Sequence, residues 1–124
     1  MAATTLQISD RDVQQYRDEG YFILERALPE HLLAALQAEC DAAVEAKDRE
    51  MEQTGKTSEG ITHYRKRYFI GNRSQTSERL RRVLFSDVYA EICRATIGPE
   101  AHLFCEQFVV KAGEPDTRFS WHQD

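Results

Sequence analysis

Cysteine is scarce in this sequence. Cys40, Cys93 and Cys105 form no CxxC pair, and an odd count argues against a disulfide framework. Each cysteine is expected to pack as a small hydrophobe. No run of about 18 apolar residues occurs, which excludes a transmembrane helix. The opening "MAATTLQISD" lacks the basic and apolar regions of a signal peptide, so a reducing cytoplasm is the default location. Basic excess is missing too: 16 Lys and Arg face 21 Asp and Glu, a net charge of -5. Bulk electrostatics therefore favours neither nucleic acid nor a membrane surface. The basic stretch "HYRKRYFIGNRS" is local and interleaved with apolar residues. Internal repeats and low-complexity segments are also absent. What remains is 124 residues, 41% hydrophobic and 30% charged, enough for one compact domain and too few for two.

Local signals divide the chain. Ser9 and Asp12 have capping-box spacing and open a short helix with Val13 and Tyr16 inward, stopped at Gly20. "YFIL" (Tyr21 to Leu24) reads as a short strand. Pro29 suits the first turn of a second helix. Its stripe of Leu32, Leu33, Leu36, Cys40, Ala43 and Val44 keeps three- and four-residue steps. The charged, glycine-containing "AKDREMEQTGKTSEG" is expected to fray that helix into a mobile loop. "YRKRYFI" is extended and turned by Gly71-Asn72. Ser77 and Ser86 each cap a short helix, with Leu80, Val83, Leu84, Val88, Tyr89 and Ile92 toward the core. Gly98-Pro99 ends the second of these. "HLFCEQFVVK" is the best strand in the chain, followed by the turn "AGEPDTR" and then "FSWHQD".

"FSWHQD" carries the chemistry. On a strand, His122 and Asp124 share a face while Gln123 points away. An imidazole and a carboxylate converging in this way are two of the three ligands of a facial iron site. Taken alone, His-X-Asp is common, and a surface histidine beside an aspartate is its usual meaning. The preceding strand, the Gly/Pro turn and the aromatic pair Phe119 and Trp121 strengthen the metal reading. His31 opens a helix, His63 falls in the expected loop and His102 starts the long strand; none converges on an obvious site. Glu106 points opposite Gln107 and is expected to be paired or exposed.

With these residues in place, the chain resembles the phytanoyl-CoA dioxygenase family of iron(II)- and 2-oxoglutarate-dependent oxygenases. "YRDEGYFILERALPEHLLAALQAEC" resembles the family's opening helix, strand and long helix. "LFSDVYAEICRATIGPEAHLFCEQFVVKAGEPDTRFSWHQD" resembles its run into the first half of the barrel, with a lysine-ended strand, a turn and WHQD in order. The resemblance implies that His122 and Asp124 hold Fe(II) on one face, leaving the opposite face for 2-oxoglutarate and O2. The products would be succinate, CO2 and a hydroxylated small molecule. Related halogenases carry a small residue where Asp124 stands, so its presence favours hydroxylation. Gln107 lies where the family often places a polar co-substrate or substrate contact. Alternation puts it on one face with Cys105, Val109 and Lys111; the bland alternative is a sheet edge. Arg67 is the candidate to neutralise a 2-oxoglutarate carboxylate, against a solvated basic edge. Trp121 is the candidate to wall the substrate pocket, against an ordinary place in the core.

The expected fold class is α+β: N-terminal helices packed on an incomplete double-stranded β-helix (jelly roll), cut after the HxD strand. Residues 1–98 would be mainly helical with short strands, and residues 99–124 would hold the first barrel strands. The second histidine ligand and the arginine that clamps the far carboxylate belong to the family's later strands. Residues 1–124 are accordingly expected to be an inactive N-terminal part of a single oxygenase domain. Two other classes stay open: a non-catalytic binding or structural module in which HQD is an ordinary strand end, and a cupin-type metalloenzyme without 2-oxoglutarate. The next part of the parent sequence separates them by delivering, or lacking, a histidine and then an arginine.

Overall fold

Ser9 accepts a hydrogen bond from the Asp12 amide, and the Asp12 carboxylate accepts one from the Ser9 amide. This capping box opens α1 (Asp10–Glu19), and Gly20, at φ 84°, closes it in the left-handed conformation. These come from a computed structural model that describes residues 6–113 and 118–123. After α1 come α2 (Glu30–Thr54), β1 (Ser58–Glu59), β2 (Thr62–His63), β3 (Arg67–Gly71), a 3₁₀ turn (Arg73–Gln75), α3 (Glu78–Leu84), α4 (Asp87–Thr96) and β4 (Gln107–Lys111). Among the described residues the class is α+β, with a four-stranded antiparallel sheet in the order β1-β2-β3-β4.

Both short helices form where the sequence implies, but only one is capped by its serine. The Ser77 hydroxyl accepts from the Leu80 amide, whereas Ser86 sits at the N-cap position of α4 without a side-chain capping bond. Leu32 of α2, Val83 of α3 and Val88 of α4 make the buried helical core, with Leu28, Leu36, Tyr89 and Ile92 packed against it.

Four expectations need correction. Tyr21–Leu24 forms no strand: Tyr21 and Ile23 are exposed, and Phe22 and Leu24 instead line an open groove of about 360 Å³ with Tyr16, Tyr89 and Ile92. β-propensity without a partner strand makes no ladder. The charged stretch does not fray either. α2 runs to Thr54, because Ala, Glu, Lys, Arg and Met are strong helix formers whatever their charge. Gly55, at φ 68°, stops it, and the supposed loop beyond contains β1 and β2. The long strand is shorter than "HLFCEQFVVK" suggests: only Gln107–Lys111 pairs, while His102, Leu103, Phe104 and Cys105 are exposed. Residues 118–123 make no strand, so the period-two argument for His122 does not apply to them. Most of the turn before them lies outside the described residues.

The sheet has two unlike faces. Tyr68 and Ile70 of β3 oppose Val110 and Phe108 of β4 on the face toward α2, where the Tyr68 hydroxyl donates to the Asp48 carboxylate and accepts from the Arg65 amide. Burial, and then the bond to Asp48, push the Tyr68 hydroxyl up to a pKa of about 12. The other face carries Arg67, Phe69, Gln107, Val109 and Lys111.

Candidate metal and co-substrate face

Register decides what this second face presents. Arg67 pairs with Lys111, Phe69 with Val109 and Gly71 with Gln107. Directly opposed residues of an antiparallel pair point the same way, so Arg67 and Gln107 share the face although 40 positions of sequence separate them. β3 is an inner strand, flanked by β2 and β4. Arg67 is therefore not a basic sheet edge. His63 pairs with Arg67 from β2, making a cross-strand row of His63, Arg67 and Lys111.

The Arg67 guanidinium is oriented by its neighbours. Its Nε donates to the Ile61 carbonyl at 2.8 Å, and a terminal nitrogen lies 3.1 Å from His63 Nε2. Guanidinium nitrogens only donate, so the His63 ring accepts at Nε2 and carries its proton on Nδ1. Nothing in the sequence marks this role for His63 beyond its four-residue distance from Arg67, which the short turn between β2 and β3 converts into contact.

Gln107 begins β4 with its side chain exposed, and the register there is pinned from the other face. Ser74 donates to the Glu106 carboxylate through its amide at 2.8 Å and its hydroxyl at 2.9 Å. Burial pushes the Glu106 carboxyl up, but these bonds outweigh it and hold the group below its ordinary range. Glu106 is thus paired, as expected. Its carbonyl accepts from the Asn72 amide at 3.2 Å, and a Cβ on Gly71 would come within 3.1 Å of the same oxygen. Glycine eases the close approach of the two strands there, where a side chain would make the Glu106 carbonyl give by a few tenths of an ångström.

Phe119 brings the HxD segment to this face. Its ring packs edge-on against Phe69 at 5.5 Å, with Arg67 Cζ 5.8 Å and Lys111 Nζ 4.7 Å from its centroid. Three residues on, His122 is exposed, and its Nδ1 lies 2.8 Å from the Ser120 carbonyl. A carbonyl only accepts, so the proton sits on Nδ1 and a neutral ring keeps its lone pair on Nε2. A metal-ligating histidine uses this tautomer, its second nitrogen bound to a backbone oxygen. The donor chemistry of His122 fits a divalent iron. Asp124 lies outside the described residues. Trp121 is fully exposed rather than in a core, and it lines neither the groove beside Phe22 nor the one between α2 and α3. No group of three or more His, Cys, Asp and Glu side chains converges among those residues.

The remaining sequence candidates separate from the site. His31 lines a groove between α2 and α3, and His102 is exposed ahead of β4. Cys40 and Cys93 are half-buried, as small hydrophobes would be, whereas Cys105 is exposed. Among the described residues no helix is long and apolar enough to cross a membrane.

The family model for phytanoyl-CoA dioxygenase (PhyH) matches residues 16–124. No curated protein and no solved structure matches the chain.

Proposed function

Because this chain belongs to the phytanoyl-CoA dioxygenase family, we propose that it carries part of the site of an Fe(II)- and 2-oxoglutarate-dependent oxygenase hydroxylating a small organic substrate. The observation that carries the reading is the common face of Arg67 and Gln107, onto which Phe119 ties the segment bearing His122. His122 offers Nε2 and Asp124 a carboxylate to the iron. Arg67 supplies a fixed positive charge for a carboxylate of the co-substrate, and the Gln107 amide a hydrogen bond that orients it. Trp121, exposed beside His122, is the candidate aromatic wall for substrate. Bound Fe(II), with 2-oxoglutarate and O2, supplies the oxidising power for a C–H bond.

In this reading residues 1–98 are mainly helical with the short strands β1–β3, and residues 99–124, with β4, hold the first strands of a double-stranded β-helix. His31 and His102 lie away from this face, and the His63 ring is engaged with Arg67. A second histidine ligand and a carboxylate-clamping arginine are therefore assigned outside residues 1–124, which alone do not turn over 2-oxoglutarate.

In a full-length chain that forms succinate, His122→Ala and Asp124→Gly each reduce turnover to background and strongly weaken iron binding, read by iron titration and succinate release. Near-parental turnover in either variant removes the metal assignment. Gln107→Ala raises the 2-oxoglutarate or substrate concentration needed for half-maximal rate while iron binding is kept. Unchanged kinetics in both would return Gln107 to a purely structural place.

A further inference from the structure

We infer that Phe119 is the positioning residue of this site: its ring, held by Arg67, Lys111 and Phe69, docks the His122 segment onto the exposed sheet face. The inference rests on the assignment of His122 as a ligand, and goes beyond it by naming what holds that ligand in place.

Residues 118–123 have no strand partner, and all six are exposed. No strand ladder among the described residues therefore fixes them. Phe119 has the ring contacts that can: Phe69 edge-on at 5.5 Å, and two cations within about 6 Å of its centroid, the range of a cation–π interaction. His122 is only three positions on from Phe119, so an extended chain lets the histidine stray at most about 10 Å from a fixed Phe119.

The placement of the cations supports the same role. Arg67 and Lys111 are direct cross-strand partners, an arrangement that repels when two like charges face each other. Neither is in an ion pair with a carboxylate among the described residues. The aromatic ring offers its negative face to both. A pair of cations that would otherwise push the strands apart becomes a clamp when the ring is present.

Trp121 makes the test direct. It is the sole tryptophan of the chain and lies two residues from Phe119, next to His122. Its fluorescence anisotropy reports the freedom of the segment, and its quenching by Co(II) reports metal arriving at the neighbouring histidine. The full chain is compared with Phe119→Ala, Phe119→Leu, Phe119→Tyr and Lys111→Met, with far-UV circular dichroism confirming the fold of each.

Phe119→Ala is expected to lower Trp121 anisotropy toward that of the unfolded chain and to weaken Co(II) binding roughly tenfold or more, the scale for a group that supports a ligand. Phe119→Leu, which keeps the apolar contact and loses the ring, and Lys111→Met give smaller losses. Phe119→Tyr restores both signals. Anisotropy in Phe119→Ala equal to that of the parent overturns the inference, whatever the metal does. Absence of Co(II) quenching in the parent, with anisotropy lost in Phe119→Ala, overturns instead the ligand assignment and leaves the docking role standing.

Discussion

Glu39 lies on α2 with 6% of its side chain exposed, and accepts a 2.7 Å bond from Arg79 of α3, whose own side chain is 55% exposed. Burial alone would push this carboxyl up. Hydrogen bonds from Arg79 and Ser77, with the charges of Arg79 and Arg73, outweigh it and hold the group below the ordinary glutamate range. Glu106 is lowered in the same sense by Ser74. A carboxyl depressed in the folded state binds fewer protons there than in the unfolded chain. Its stabilisation is present above the ordinary glutamate value and is lost as pH falls through the folded one. Thermal unfolding followed from neutral to acid pH should hold steady and then decline below the glutamate range. Glu39→Gln should soften that decline. Arg79→Met leaves a buried carboxylate without its cation and should cost about 2 kcal/mol. An acid profile unchanged by either substitution would mean that the pair contributes nothing.

At the scale of elements, α2 is the support on which the site face stands. Its second half is bound to the sheet at several points: Lys47 to Glu59 at 2.7 Å, the Tyr64 hydroxyl to Glu52, and the Tyr68 hydroxyl to Asp48. Met51, 1% exposed, is among the most buried side chains described. Met51→Ala should cost about 3 kcal/mol, as for other buried large-to-small changes, measured by denaturant unfolding. A cost near zero would mean that this end of the helix frays after all. Tyr68 adds an alkaline test. Its folded pKa is raised from 10.0 to about 12, so its contribution is complete below 10.0 and is lost as pH climbs through the folded value. Tyr68→Phe should flatten that alkaline loss and lower stability at neutral pH by about 1 kcal/mol, having removed one hydrogen-bonded hydroxyl.

For the whole molecule, exposed apolar surface is the telling feature. Among the described residues, Phe85, Phe104, Ile23, Ile97 and Trp121 are all more than 60% exposed. β4 ends the sheet order among the described residues, so its outer edge offers unpaired backbone groups beside half-exposed Val109. Such an edge pairs readily with another chain. Residues 1–124 are therefore expected to self-associate as concentration rises, read by sedimentation velocity. Val109→Lys should reduce the association. A monomer at every concentration would show that neither the edge nor the apolar surface is adhesive.

Local signals in the sequence determined the helices and their ends. A capping box, the Ser77 cap and a left-handed glycine act within one turn of chain, and the apolar spacing of Val88, Tyr89 and Ile92 is equally local, so α1, α3 and α4 were legible from their own residues. The WHQD run and the lysine-ended strand likewise pointed to the family without any contact being known. Where partners decide, reading the residues was not enough. Tyr21–Leu24 has strand-forming side chains but no strand to join, and the contacts of Tyr64, Tyr68 and Glu59 with the helix-forming run "AKDREMEQT" join residues up to 20 positions apart. His63 acquires a role only because β2 returns beside β3. Arg67 and Gln107 are distant in sequence and meet through a register set by Gly71, Asn72 and Glu106. That meeting depends on hydrogen bonds between residues more than 30 positions apart. Periodicity and capping rules carry no information about such pairings, so the tertiary structure alone decided them.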